Sequence, residues 1–288
     1  MEMQYAIDAG LDYFAFVWYP TEGSYTHKQV SFKDCSHKVY ELNYARELYM
    51  RSSLRDKLGM CAILAPHHFT DGDLDKLTDA FGEEYYEKID GRPLLYVYQG
   101  YIHEVIEKII KMCEGKGIAR PYVAVMGINT AKMEPMPLAD ALSAYTIGAG
   151  GISDHSGVIE YAINENRKRL VSEYKLIPTF TVGWNPTPRI ERPTPWVTNE
   201  NGGTIYADVQ YAERATSEEI VSGAERFADF LDTEGEGHLV GHILTFAWNE
   251  FEEGGFFCPT YAKDGSIDDS RVRAFAAAAE IFRKRLSK

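Results

Sequence analysis

The sequence predicts an α/β fold, a (β/α)8 barrel of the TIM type that lacks the first β-strand at its N-terminus. Seven short apolar strand candidates alternate with amphipathic helices along the chain, and this alternation implies a parallel sheet. The chain has 288 residues, which suits one barrel, because such a domain typically needs about 250 residues. The alternative is a doubly wound sheet, but no Gly-rich nucleotide turn follows any strand candidate.

The first residues of the chain are the reason for expecting a missing strand. Residues 3–10 have the pattern of a helix that ends at a glycine, Gly10, and a strand is predicted over 11–19. A chain of βα units should begin with a strand rather than with half a helix. Either one βα unit is absent upstream, and a signal peptide could be absent with it, or the fold is open at this point. The localisation stays open between the cytoplasm, as the sequence is written, and a periplasmic or secreted location.

The other elements follow from apolar periodicity, and together they predict one barrel domain over residues 1–288, since no linker or repeat interrupts the chain. A polar loop is predicted over 21–43. Segment 139–146 fits a short strand or, alternatively, a helical turn. The other strands are predicted over 59–66, 92–98, 121–127, 176–182 and 239–246. Helices are predicted over 44–57, 71–89, 103–116, 157–174 and 216–232, and from residue 268 onward.

Composition excludes several classes of partner. The net charge of −13 argues against nucleic acid and anionic membrane surfaces, which select basic patches. No apolar stretch approaches the roughly 20 residues of a membrane span. The four cysteines lack zinc-ligand spacing, so no metal is expected, and Cys61 and Cys113 are predicted to be free buried thiols. Neither GxGxxG nor a P-loop is present, and no cofactor is expected.

The residues at the strand ends suggest the ligand. In a parallel barrel every strand delivers its last residues to one face, where the active site lies. These residues combine aromatic rings with amides, histidines and one arginine, which suits a neutral polyhydroxylated ligand such as an oligosaccharide or polysaccharide. His67 and His68 have the alternative of being solvated turn residues. The predicted substrate-binding residues are Trp18, Tyr19, His67, His68, Tyr98, Gln99, Tyr145, Trp184, Asn185, Arg189, Trp248 and Asn249.

Two carboxylates after the last strand are the candidate catalytic pair. Glu250 and Glu253 are three positions apart, in a segment that could turn both toward one ligand. Glycoside hydrolysis normally needs two carboxyl groups, and apposed carboxylates in a dry site separate each other's pKa values. The alternative is that both are solvated loop acids. Glu252 is expected to point away from the pair, as alternate residues do in an extended chain.

Three motifs resemble those of a known family. The segment 248–254, WNEFEEG, resembles the WNEWxEG motif of glycoside hydrolase family 99 and its bacterial relatives. Those relatives include proteins of O-antigen gene clusters that are described as glycosyltransferases. Segment 9–16, AGLDYFAF, resembles the AGIDxFxF strand of that group, and segment 183–189, GWNPTPR, resembles its GWDNTPR loop. The matches follow the expected order and span most of the chain.

The resemblance implies a (β/α)8 barrel and a retaining α-glycosidase, classically acting on α-mannosides. It also implies roles for the two acids. Glu250 matches the glutamate that assists attack by the substrate's own 2-hydroxyl, and Glu253 matches the acid/base at the glycosidic oxygen. The sequence departs from the family pattern at Phe251, which replaces a tryptophan, at Asn185, which replaces an aspartate, and at the missing first strand.

Three functional hypotheses therefore stand side by side. The first is a glycoside hydrolase acting on α-linked glycans through Glu250 and Glu253. The second is a carbohydrate-binding barrel without catalysis, or an inactive truncated homologue. The third is a glycosyltransferase-like role in surface polysaccharide synthesis, which binding of a nucleotide sugar would distinguish from the others, although the sequence offers no phosphate site to support it.

Overall fold

The computed structural model describes residues 1–20, 25–27, 30–32, 36–65, 68–98, 101–127, 129–148, 150–170, 173–193, 197–198 and 203–286. For the described residues between 25 and 42, only the backbone is described. The helices are α1 (Glu2–Asp8), α2 (Ser36–Arg51), α3 (Asp71–Phe81), α4 (His103–Gly115), α5 (His155–Arg167), α6 (Thr187–Glu191), α7 (Ser217–Glu234) and α8 (Ser270–Leu286). The strands are β1 (Tyr13–Trp18), β2 (Tyr25–His27), β3 (Val30–Phe32), β4 (Gly59–Leu64), β5 (Lys88–Ile89), β6 (Arg92–Val97), β7 (Tyr122–Met126), β8 (Ala141–Ser143), β9 (Lys175–Leu176), β10 (Thr179–Thr181), β11 (Leu244–Phe246), β12 (Thr260–Tyr261) and β13 (Ile267–Asp268).

Residue contacts divide the chain into two compact units. The N-terminal unit comprises residues 12–143, and the C-terminal unit comprises residues 1–11 together with 144–288. Helix α1, which precedes the first strand as predicted, thus belongs to the C-terminal unit. That the whole chain is one domain stays a prediction.

The N-terminal unit is built on a parallel sheet with the strand order β1-β4-β6-β7-β8. Helices α3 and α4 connect successive strands, so the predicted α/β alternation is confirmed. Strands β4, β6 and β7 are buried along almost their whole length, as expected for parallel strands covered on both faces. The ambiguous segment 139–146 contains strand β8 rather than a helical turn.

Two predictions for this unit are wrong. The predicted loop over 21–43 contains the antiparallel hairpin β2–β3 and the start of α2 at Ser36, so that helix begins earlier than the predicted residue 44. The helix predicted over 71–89 ends at Phe81, where Gly82 is its C-cap. The chain then turns into β5, which pairs antiparallel with β6, and this pairing overrides the apolar pattern that extended the predicted helix.

In the C-terminal unit, helices α5, α7 and α8 form an apolar core with β10. The rings of Phe180, Phe227 and Phe282 meet edge to face within this core, with ring centroids 5.1–6.1 Å apart. Such contacts stabilise a core beyond the burial of their area. Helix α7 begins with a capping box: the Thr216 side chain accepts from the Glu219 backbone N–H, and the Glu219 carboxylate accepts from the Thr216 backbone N–H.

The two strands that lead to the candidate site are shorter than predicted. The segment 176–182 is divided into β9 and β10 around Pro178, which has no N–H to donate to a ladder. The segment 239–246 is reduced to β11, because Gly241 adopts a positive φ of 77° and interrupts the extended backbone. A single parallel bridge from Leu176 to Leu239 remains ahead of it. The hairpin β12–β13 after the carboxylate segment has no counterpart among the predicted elements.

Cys61 and Cys113 are free and buried, which confirms their prediction, and Cys258 is free and buried as well. Within the described ranges, no helix has both the length and the apolar character to cross a membrane. Those same ranges contain no group of three or more His, Cys, Asp or Glu side chains arranged to hold a metal ion.

Candidate active site

The site is formed by the two loops that follow β10 and β11. These strands are parallel, with Thr181 opposite Phe246. The two segments that follow them therefore leave the sheet at the same edge. The loops are then joined by a backbone hydrogen bond of 2.8 Å from the Asn185 N–H to the Glu253 carbonyl. A second bond, of 2.7 Å, runs from the Ala247 N–H to the Gly255 carbonyl and closes the β11 loop on itself.

Gly254 permits this close approach of the two loops. Its φ is 67°, a left-handed conformation that glycine adopts without steric cost. A Cβ built on Gly254 would lie 2.9 Å from the Asn185 nitrogen and 3.0 Å from the Asn185 Cβ. A side chain at this position would therefore both strain the turn and separate the loop that carries Glu253 from the loop that carries Arg189.

The Arg189 guanidinium contacts three carboxylates of the loop that follows β11. Arg189 lies on the short helix α6, and its guanidinium donates to Glu252 Oε2 at 3.2 Å, to Glu250 Oε1 at 3.4 Å and to Glu253 Oε1. The side chain of Glu253 is 10% exposed and that of Glu250 is 28% exposed, so the first is the drier of the two. The structure thus places the two predicted catalytic residues on one cation.

Glu252 also contacts this guanidinium, so the prediction that it points away from the pair is wrong. The prediction assumed an extended chain, whereas residues 251–254 form a turn. A turn places successive side chains on one side of the backbone. Glu252 is 54% exposed, and its contribution is accordingly screened by solvent.

Burial and charge give the two acids unusual proton affinities. Burial raises the pKa of Glu253 to about 7, with Arg189 opposing the rise and Glu250 adding to it. Burial also raises the pKa of Glu250, again against the attraction of Arg189. The pKa of Arg189 is raised despite its own burial, because the carboxylates of Glu253 and Glu250 favour its charged form. Glu253 is therefore about half protonated at pH 7, and a pKa near the working pH suits a general acid.

Aromatic residues pack around Phe246, the last residue of β11. Trp184 is almost fully buried and packs on Phe246 and Tyr206, with ring centroids 6.1 and 6.4 Å away. Tyr145 meets the same Phe246 ring edge to face at 6.0 Å. Tyr206 also accepts a hydrogen bond from Arg189. Tyr206 was not among the predicted site residues, because it belongs to a segment without any strand signal.

The Trp184 ring packs directly against Gly148, and a substitution at Gly148 tests this contact. A Cβ at residue 148 would lie 2.0 Å from Trp184 Cδ2, so Gly148→Ala should displace the indole and lower the free energy of unfolding by about 1–3 kcal/mol, as overpacking does. The measurement is Trp fluorescence together with urea unfolding. Gly115→Ala is the matched control, since nothing lies within 4 Å of a Cβ there. Unchanged fluorescence and stability in Gly148→Ala would contradict the packing.

Three further predicted substrate-binding residues belong to this unit, and two of them have side-chain partners. Asn185 donates to the Ala212 carbonyl at 2.9 Å, and its Oδ1 accepts from the Thr187 N–H at 3.1 Å, which fixes the start of α6. Trp248 packs against Phe257 and donates from Nε1 to Glu2 at 3.1 Å. Asn249 is exposed. That these residues bind substrate stays a prediction.

The remaining predicted residues belong to the N-terminal unit. Trp18 is buried at the end of β1, with the Arg46 guanidinium 3.7 Å from its ring centroid. The Tyr19 backbone carbonyl accepts a hydrogen bond from the Asn43 side-chain amide. The Tyr98 backbone N–H, just after β6, donates to the Leu64 carbonyl. His68 is exposed. His67 and Gln99 lie outside the described residues, and the substrate-binding role of this whole group stays a prediction.

Arg271 holds the backbone of the site loops in place, a role that the sequence does not predict. This buried residue in the first turn of α8 donates to three backbone carbonyls: Ala215 at 2.7 Å, Phe256 at 2.9 Å and Val182 at 3.2 Å. Val182 precedes the loop of Arg189, and Phe256 follows the turn of Glu253. The guanidinium therefore links both site loops to the last helix. Burial lowers the pKa of Arg271 to about 10.

Comparison with known proteins gives a likeness in structure alone. No protein-family model matches the chain, and no curated protein matches it either. Two solved structures of the GH99 endo-alpha-mannosidase from Bacteroides thetaiotaomicron are similar in fold. The first, a complex with BIS-TRIS-propane, has a TM-score of 0.56 at 16% identity, covering 99% of this chain and 83% of that chain. The second has a TM-score of 0.56 at 15% identity, covering 100% of this chain and 80% of that chain. At this level of identity the likeness shows the fold, and it confirms the predicted α/β class of the TIM-barrel type.

Proposed function

We propose that the protein is a retaining glycoside hydrolase that acts on α-linked glycans, with α-mannosides as the first candidates. The observation that carries the proposal is the convergence of Glu250 and Glu253 on Arg189, at the edge where two parallel strands end. Glycosidases with a barrel fold typically carry their catalytic pair of carboxylates at the ends of the strands. The fold likeness to GH99 endo-alpha-mannosidases and the motif resemblance support the same class of reaction.

The two acids have different environments, and these suggest different roles. Glu253 is the more buried and has a pKa of about 7, so it suits the group that protonates the glycosidic oxygen as the bond to the leaving sugar breaks. Glu250 is the more exposed and suits the base. In the route that the family resemblance implies, it takes the proton of the substrate's 2-hydroxyl while that oxygen attacks the anomeric carbon. In the second step Glu253 takes a proton from a water molecule whose oxygen attacks the anomeric carbon, the bond between that carbon and the 2-oxygen breaks, and Glu250 returns its proton to the 2-oxygen.

Arg189 contributes to both steps. Its charge opposes the rise in the pKa values that burial causes in Glu250 and Glu253. Without that cation both acids would be held more firmly in the protonated form. Arg189 thus keeps the base able to ionise while the acid retains its proton near neutral pH. The same guanidinium fixes the two side chains relative to each other, which positions them for one bond.

The test is hydrolysis of aryl α-mannosides and an α-linked mannotetraose by the purified protein. We expect turnover, with the α-anomer as the first product in ¹H NMR spectra. The double variant Glu250→Gln/Glu253→Gln, prepared in the same way, should release no product and excludes a contaminating hydrolase. If the wild type cleaves no α- or β-linked glycoside in a broad panel but still binds oligosaccharide, the proposal fails, and a carbohydrate-binding protein without catalysis is indicated. A first product of inverted configuration would contradict the retaining mechanism.

A further inference from the structure

A second concave surface lies next to the carboxylates. It is a hollow of about 260 Å³ whose walls are the β10 loop with α6, the turn after β11, and the segment that precedes α7. We call it the aromatic hollow and define it by Trp184, Phe251, Phe256, Glu191, Glu213 and Arg214. Neither Arg189 nor the two candidate catalytic glutamates line it. Trp184 and Asn185, which the sequence predicts to bind substrate, do line it, but the proposed proton transfers use none of its lining residues.

Two phenylalanine rings of the hollow pack on each other. Phe251 is 48% exposed, and its ring leans on Phe256 with centroids 4.7 Å apart. The Arg214 guanidinium lies 4.9 Å from the Phe256 centroid on the other side. A single exposed phenylalanine is ordinary on a protein surface. An exposed ring that packs on a second ring within a concavity is instead typical of a ligand site.

The rim of the hollow carries charged groups of both signs. In the part of the chain that the structure describes, Glu191 and Glu213 form no ion pair. Arg214 has only a long contact of 4.0 Å with Asp268. These head groups remain available to accept from and donate to hydroxyl groups. Their mixed signs do not favour a strongly anionic ligand such as a nucleotide, which would need an excess of positive charge.

We propose that the aromatic hollow binds one sugar ring of a glycan, at a second site beside the carboxylate pair. The class of ligand rests on the proposed function, because the rings and rim would suit other small polyhydroxylated molecules. Small-molecule sites typically enclose about 300–1,000 Å³, and the hollow of about 260 Å³ is slightly smaller. It therefore accepts a single ring, with the apolar face of the sugar on Phe251 and its hydroxyls toward the rim.

The hollow and the carboxylates share a wall. Phe251 and Gly254 line the hollow, while Glu250 and Glu253, in the same turn, contact Arg189. Helix α6 is divided in the same way, since Glu191 lines the hollow and Arg189 meets the carboxylates. A glycan long enough to reach both surfaces is thus held on either side of one turn. We expect this second contact to favour longer glycans over single sugars.

The test is calorimetric titration of α-linked mannotetraose into the full chain carrying Glu253→Gln, which prevents cleavage during the measurement. Adding Phe251→Ala should weaken binding by about three- to tenfold, the range typical of one aromatic contact, while Phe251→Trp should retain the affinity. Arg214→Ala tests the rim independently, in case Phe251→Ala does not fold. Tyr261→Ala is the control, since that ring is 77% exposed and lies outside the hollow.

The outcomes separate this inference from the proposed function. Equal affinities of the Phe251→Ala, Arg214→Ala and parent proteins overturn the hollow as a sugar site, even if the wild type cleaves mannosides. Absence of mannotetraose binding to the parent also overturns it. Binding that depends on Phe251 and Arg214, in a protein whose wild type has no hydrolytic activity, supports the hollow while the proposed hydrolase fails.

Discussion

Glu253→Gln is expected to lower kcat for an aryl α-mannoside by about 10²–10⁴-fold, the usual contribution of a positioned general acid. The glutamine keeps the shape of the side chain and its contact with Arg189 but has no proton to give to the leaving oxygen. Steady-state kinetics measure the effect. Glu252→Gln is the matched control, because Glu252 contacts the same guanidinium from an exposed position. Equal losses in the two variants would contradict the assignment of Glu253.

The same variant should be more stable than the wild type at alkaline pH. Burial raises the pKa of Glu253 from 4.5 to about 7 in the folded protein. A raised carboxyl pKa adds stability below pH 4.5, and this is lost as the pH rises through about 7. Glutamine mimics the protonated acid, so at pH 8 the free energy of unfolding should rise by at most about 3 kcal/mol, at about 1.4 kcal/mol per pKa unit. At pH 4 the two proteins should unfold alike in urea, and a constant difference between pH 4 and pH 8 would contradict the pKa of Glu253.

Arg189→Met is expected to destabilise the protein and to alter its pH–rate profile. Removing the cation leaves Glu250 and Glu253 largely buried without their partner, and breaking a buried ion pair typically costs about 3–5 kcal/mol. We expect the lower end of that range, since Glu252 is exposed and Glu250 partly so. The loss should be greatest at high pH, where the carboxylates are charged, and should shrink as they take up protons at low pH.

Arg189→Met should also change the pH dependence of kcat/KM. Without the cation, the pKa of Glu253 should rise above its value of about 7, and the alkaline limb of kcat/KM should move to higher pH. Activity at neutral pH should fall, because Glu250 would no longer ionise readily as the base. The control is Arg192→Met, which removes an exposed arginine at the end of the same helix. An unchanged alkaline limb in Arg189→Met would contradict the electrostatic role of Arg189.

Features with a local signal in the sequence could be predicted. Strand β11 and the carboxylates that follow it are predicted because an apolar run leads directly into WNEFEEG, and the capping box of α7 follows from Thr216 and Glu219. The convergence of Glu250 and Glu253 also follows from their spacing once the strand is placed. These predictions depend on neighbours along the chain, which the sequence displays directly.

Features that depend on distant contacts could not be predicted. Arg189 lies 64 residues from Glu253, and nothing in a Pro-rich loop indicates that its guanidinium meets three carboxylates. Arg271 lies among the apolar residues of a helix, where the pattern predicts burial but not a set of carbonyl partners. The direction of Glu252 was mistaken because the positive φ of Gly254, which closes the turn, is a property of the folded loop. Local patterns in the sequence thus indicate where the candidate site lies, whereas contacts between residues distant in sequence determine how its side chains are arranged.

The bonds from Arg271 give the last helix a significance beyond packing. A shortened chain that ended soon after the glutamates would retain every residue of the motif yet lose the cation that fastens both loops from beneath. The geometry of the candidate site in this sense depends on residues from Val182 to Arg271. Any engineering of the C-terminus, whether deletion, fusion or exchange with a related sequence, would therefore alter the candidate site as well.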